Sequence, residues 1–189
     1  MSMYRQMLLF LVVLLGAAIL FSAVGVLFFD PWHILTQAVF LIFVCWGLNA
    51  LAARLAKTKP NFESPLITAL ILSLILGPAG IDEGWLFFTV AALAAILSKY
   101  LLVFNQSHIF NPTAFGTLVA ALILGEPASW WIGDQTLLPL VVIGGLIIAK
   151  KIRRFQLIGS FLAVYLGLSA LGGWAVIEIP FLISPLLFF

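Results

Sequence analysis

Apolar segments follow one another along this chain with scarcely a charged residue inside any of them, and that succession constrains the fold more than any motif. They run over residues 7–29, 33–53, 65–76, 85–103, 112–124, 137–149 and 155–177, with a last one opening at Ile179. Only 8% of the residues are charged, against roughly 25% in a soluble globular domain. A chain of this kind dissolves in lipid, where only helices and closed barrels satisfy their own backbone. The segment lengths suit helices. The expected fold is therefore all-α: a polytopic transmembrane helical bundle with about seven spans and an incomplete eighth. No polar stretch is long enough for a soluble domain, so residues 1–189 are read as one integral membrane domain. A formal charge of +2 gives no reason to expect nucleic acid as a partner. The single cysteine, Cys45, excludes an intrachain disulfide and a cysteine-ligated iron-sulfur cluster.

The first segment follows Arg5 and holds a weak small-x-small site at Ala23-Val24-Gly25. It is nevertheless longer than the roughly 7–15 residues of a secretory signal core, and is read as a retained helix. If each segment crosses once and the N-terminus is cytoplasmic, Arg5, Arg54, Lys57, Lys59, Lys99, Lys150, Lys151, Arg153 and Arg154 all fall on the cytoplasmic side. The opposite side collects Asp30, Asp82, Glu83, Glu126, Asp134 and Glu178, with Trp32, Trp85, Trp130, Trp131 and Trp174 as an interfacial belt. Glu63 alone departs from the pattern. Lys99, close to a helix end, is expected to snorkel to the headgroups. The run from Lys150 to Arg154 is expected to set topology and meet anionic lipid.

Crossing the hydrocarbon takes roughly 20 helical residues, and residues 65–77, 112–125 and 137–149 fall short of that. The first two share a grammar. Ser64-Pro65 and Asn111-Pro112 each offer an N-cap followed by a proline at the first helical position, and both segments close on Leu-Ile-Leu-Gly with a proline soon after. Both helix starts face the cytoplasmic half. Each presents unpaired N–H groups and partial positive charge, suited to a phosphate, a carboxylate or the carbonyl edge of a flavin or quinone. Ordinary short buried helices whose caps serve only their own ends explain the same pattern.

The polar, punctuated passage His108-Ile-Phe-Asn-Pro-Thr-Ala-Phe-Gly116 marks where function is sought first. His108 stands three residues before Asn111, placed to bond a ligand or tune a redox group; a satisfied interfacial histidine fits equally. Asn111 suits a cap, with donors to spare for a ligand. Thr113, Gly116 and Thr117 line the second short helix with small side chains, which serves close helix packing or leaves room for a flat cofactor. Ser64 and Thr68 are the matching pair on the first. No ionisable residue lies deep in a spanning segment, where proton relays and ion-coupling sites need one, so a self-sufficient pump is not expected.

The run from Lys99-Tyr100-Leu101 to Gly116, preceded by Ser64-Pro-Leu-Ile-Thr-Ala-Leu-Ile-Leu72, resembles the D subunit of Rnf-type electron-transport complexes and the B subunit of the sodium-translocating NADH:quinone reductase. The likeness is closest to short, stand-alone relatives and covers most of residues 63–154. It implies a multi-pass subunit of the bacterial inner membrane, partnered by the other subunits of a redox-driven ion translocase. It also implies a flavin (FMN or riboflavin) and possible use of a quinone near the short helices, in a fold similar to urea channels. Full-length family members hold FMN covalently in a Ser-Gly-Ala-Thr type motif. The sequence has none, so the flavin is expected to be non-covalent. Only eleven residues follow Glu178, and the chain is expected to be a truncated piece of a longer protein.

The expected function is to seat a flavin or quinone and relay electrons within a larger complex, without catalysis by this chain alone. Asn111, Pro112, Thr113 and Gly116 would form one wall and Ser64 and Thr68 the other, with His108 at the entrance. Two rivals stand beside it: a passive channel for a small neutral solute, and a membrane scaffold with no ligand.

Overall fold

The computed structural model describes residues 3–58, 62–104, 107–108, 110–125 and 129–152, with a few isolated positions beyond. The chain divides into two compact units, Met1–Ser129 and Trp130–Phe189.

The first unit is built from five helices. These are α1 (Met3–Ala23), α2 (Pro31–Leu55), α3 (Glu63–Ile75), α4 (Ile81–Leu101) and α5 (Pro112–Leu124), with a two-residue antiparallel ladder between the last two, β1 (Val103–Phe104) and β2 (Ser107–His108). The architecture is helical as expected, since so small a ladder serves only to turn the chain from α4 into α5. Among the described residues three segments are long and apolar enough to cross a membrane: Tyr4–Ala23, Pro31–Leu55 and Ile81–Leu101. That is three full-length candidates, not seven. Helices α3 and α5 have 13 residues each, about 20 Å at 1.5 Å per residue. The expected crossings over 155–177 and from Ile179 onward fall almost wholly outside the described residues.

The five helices run alternately up and down, a direction fixed by polar contacts near their ends. Arg5 on α1 meets Glu63 at the start of α3 at 3.4 Å, so those two helices run parallel. Gln37 Nε2, early in α2, donates to the carbonyl of Leu76 just past α3 at 3.1 Å. Tyr100, at the end of α4, donates its hydroxyl proton to Asn49 Oδ1 in the last third of α2 at 3.0 Å. One end of the unit therefore carries Arg5, Arg54, Lys57, Glu63 and Lys99, and the other carries Asp30, Asp82 and Glu83 beside the exposed Trp32 and Trp85. Glu63, which breaks the charge pattern in the sequence, stands in the first turn of α3, where the helix dipole favours it, and pairs with Arg5.

Helix α3 is the centre of the unit, touched by α1, α2, α4 and α5. Every residue from Thr68 to Ile75 is buried, and an apolar helix covered all round needs no amphipathic stripe. Helix α4 packs against α2, α3 and α5, presenting Phe88 to Phe40 of α2 with ring centroids 6.4 Å apart and its alanines to α5.

The second unit contains a 3-10 turn at Trp131–Gly133 and α6 (Leu138–Ile152), with Lys150 and Lys151 in the last turn of α6. Trp131 is buried, so it is a packing residue and not the interfacial anchor expected from its place in a Trp-Trp pair. Asp134 Oδ1 accepts from the Thr136 amide at 2.9 Å, an Asx-type turn leading into α6.

Candidate functional site

The two short helices start in different ways. Asn111 caps α5 as its sequence predicts: its Oδ1 accepts from the Thr113 and Ala114 amides at 3.0 and 3.4 Å, and Pro112 takes the first helical position. Phe110, just before the cap, stacks on Phe115 with centroids 6.0 Å apart. This staple across the first turn fixes the angle at which the chain enters the helix. Ser64, by contrast, is not a cap. Helix α3 already begins at Glu63, its N-cap position is Phe62, and no side chain caps it. The residue that does share the Asn111 pattern is Asp30, whose Oδ1 accepts from the Trp32 amide at 2.8 Å with Pro31 opening α2. The Asp-Pro dipeptide carried that signal in the sequence.

Freed from capping, Ser64 receives Lys99. The lysine does not reach outward to headgroups as expected. Its Nζ donates to Thr68 Oγ1 at 2.6 Å, to Ser64 Oγ at 2.8 Å and to the Ser64 carbonyl at 3.1 Å. Three acceptors match the three donors of an ammonium. Ser64 and Thr68 are one turn apart on one face of α3, so both can meet a single group. Thr68 Oγ1 also bonds the Ser64 carbonyl at 3.0 Å, closing the cluster on itself. The i, i+4 spacing of the two hydroxyls was visible in the sequence; the lysine opposite them, 31 residues beyond Thr68, was not.

On the α5 side the small residues serve packing. Thr113, Gly116, Thr117 and Ala120 form the buried face of the helix, at the i, i+3, i+4, i+7 positions of one stripe. A Cβ on Gly116 would lie 2.7 Å from Ala95 Cβ and 2.8 Å from the Ala95 nitrogen, and would run into the Ala91 carbonyl. Backbone therefore rests on backbone, as small residues permit in membrane helices. Thr117 Oγ1 turns back to the Thr113 carbonyl at 3.0 Å. The ladder pairs His108 with Val103; the His108 side chain lies outside the described residues.

Helix α4 thus brings both halves of the expected site to its C-terminal portion, Ser64 and Thr68 through Lys99, and Gly116 through Ala91 and Ala95. The two helix starts share one end of the unit. Among the described residues, α4 brings Ala91, Ala95 and the Lys99 ammonium against them. An apolar groove of about 570 Å³ lies elsewhere, against α2 and the first residue of α4, lined by Leu35, Val39, Phe40, Phe43, Val44 and Ile81 with Thr36. None of its lining residues belongs to the expected site. Among the described residues no group of three or more His, Cys, Asp or Glu side chains is placed to hold a metal ion.

No protein-family model, curated protein or solved structure matches the chain.

Proposed function

We propose that the chain is a membrane subunit of a redox-driven, ion-translocating electron-transport complex of the bacterial inner membrane. The support is the residue resemblance through Ser64–Leu72, Lys99–Tyr100 and the Asn-Pro-Thr-Ala-Phe-Gly run, together with one geometric observation: the short helices α3 and α5 begin at the same end of the unit, both against α4, which carries Lys99 and Tyr100. That end bears Arg5, Arg54, Lys57 and Lys99, and by the excess of basic residues on cytoplasmic faces it is assigned to the cytoplasm. The fuller count of about seven spans belongs to the same proposal, with α3 and α5 reaching part of the way across.

The cofactor implied by the resemblance, a non-covalent flavin or a quinone, does not fit Ser64, Thr68, Asn111, Thr113 and Gly116 as they stand. Ser64 and Thr68 hold the Lys99 ammonium, Gly116 is closed against α4, Thr113 is buried on the same face of α5, and Asn111 Oδ1 is taken by its own helix. No electron-transfer step is assigned to them. This internal commitment favours a second reading in which the described unit is a ligand-free scaffold that holds partner subunits in the membrane.

Purification from native membranes under mild detergent tests both. Co-purifying flavoprotein or iron-sulfur subunits with a colourless chain is the expected result and favours the scaffold role inside a redox complex. Flavin absorbance carried by this chain alone would establish a seat that the present arrangement does not provide. A colourless, partnerless protein that accelerates solute flux into liposomes would overturn the proposal in favour of a channel.

A further inference from the structure

We infer that Ser64 and Thr68 form an oxygen cage for one monovalent cation, and that the Lys99 ammonium is its resident, a cation tethered to α4. The inference rests on the Lys99 geometry alone and does not depend on the redox reading.

The three atoms receiving Nζ are neutral oxygens: one backbone carbonyl and two hydroxyls, at 2.6–3.1 Å. Neutral oxygens of this kind replace the hydration shell of alkali cations in membrane proteins. Helix polarity makes the choice of occupant informative. The start of α3 carries partial positive charge, which disfavours a nearby cation, yet the chain spends a lysine there. Glu63, the acid of that turn, is engaged by Arg5. A lysine serving only as a topology marker would extend to water, where its charge is best solvated. Turning it onto Ser64 and Thr68 secures α4 to α3 across an otherwise apolar contact, the service a bound sodium or potassium ion would give without the tether. Thr68 is buried, so removing the ammonium takes the donor away from its hydroxyl oxygen in an apolar setting, while the Ser64 carbonyl keeps the Thr68 hydroxyl. Such an oxygen is costly to leave unpaired, and a small free cation would be drawn to it.

The test is chemical rescue of the full chain in detergent, read as the thermal melting temperature. Lys99→Ala is expected to melt at least about 5 °C below wild type, the shift that follows from losing a hydrogen-bonded charged group. Methylammonium, ammonium or sodium chloride is expected to restore at least half of that loss. Choline chloride at equal ionic strength, too bulky for the gap, is expected to restore none, and the wild type to respond to none of these salts. Adding Thr68→Val to the alanine variant is expected to abolish the rescue. An equal response to all salts, or to none, overturns the inference. Should the alanine variant not fold, the folded yield of Lys99→Ser solubilised in the same salts decides the matter: a yield raised by the small cations and not by choline supports the cage, and an equal response to all salts, or to none, overturns it.

Discussion

Helices α3 and α5 have the same length, a proline near the start, the same Leu-Ile-Leu-Gly ending and parallel directions, yet they hold their places by different means. Helix α3 is enclosed by four neighbours, and its polar start is fastened by a lysine from another helix. Helix α5 is capped by its own Asn111, stapled by its own Phe110 and Phe115, closed at its far end by Gly125 in the left-handed conformation at φ 75°, and buried along one face. Leu118, Leu122 and Ile123 stand exposed on it. A shared local grammar therefore fixes where a helix begins and ends, while the surroundings decide whether its polar groups serve the helix itself or a neighbour.

Substitutions can break or sharpen this contrast. The largest effect is expected at the centre of α3: Leu72, fully buried, leaves a cavity when changed to alanine and should cost at least about 2 kcal/mol in denaturant unfolding. Lipid is as apolar as the core, so that loss is mainly of packing. Next comes Gly116→Ala, which must part α5 from α4 and should cost about 1–3 kcal/mol. A neutral result would show that the two backbones are not in contact. Asn111→Ala should cost about 1 kcal/mol, seen as a lower melting temperature, whereas Ser64→Gly should spare the start of α3 and weaken only the grip on Lys99. Leu122→Ala, on the open face of α5 at 76% exposure, should fall within about 0.5 kcal/mol. A larger loss would mean that the face is covered in the membrane by another segment or partner, and would end the contrast. The smallest effect belongs to Arg5→Ala, since the Arg5–Glu63 pair is exposed and such pairs contribute about 1 kcal/mol at most; it should vanish at high salt.

The positions of the helices were legible because hydropathy and length act locally. The segment 112–124 coincides with α5, and those at 33–53 and 85–103 overlap α2 and α4 closely. The Asn111 cap was legible for the same reason, its bonds reaching no further than three residues. Ser64 was misread because a serine before proline looks the same whether it precedes the first turn or lies within it, and Glu63, favoured by the dipole, lets α3 start one residue earlier. Lys99 was misread because a lysine near a helix end has two ways to satisfy its charge, and only the position of α3 selects between them. Gln37, reaching from α2 to the end of α3, and Tyr100, reaching from α4 to Asn49, gave no local sign at all.

The order of the apolar segments and the self-contained ends of α5 came from the sequence, since each depends on residues within a turn or two of one another. Which polar groups meet across helices was decided only by tertiary structure. In an apolar bundle a buried polar side chain turns back on its own helix, as Thr117 does, or meets whichever neighbour packing has placed opposite it, as Lys99 does, and no spacing along the chain records that choice.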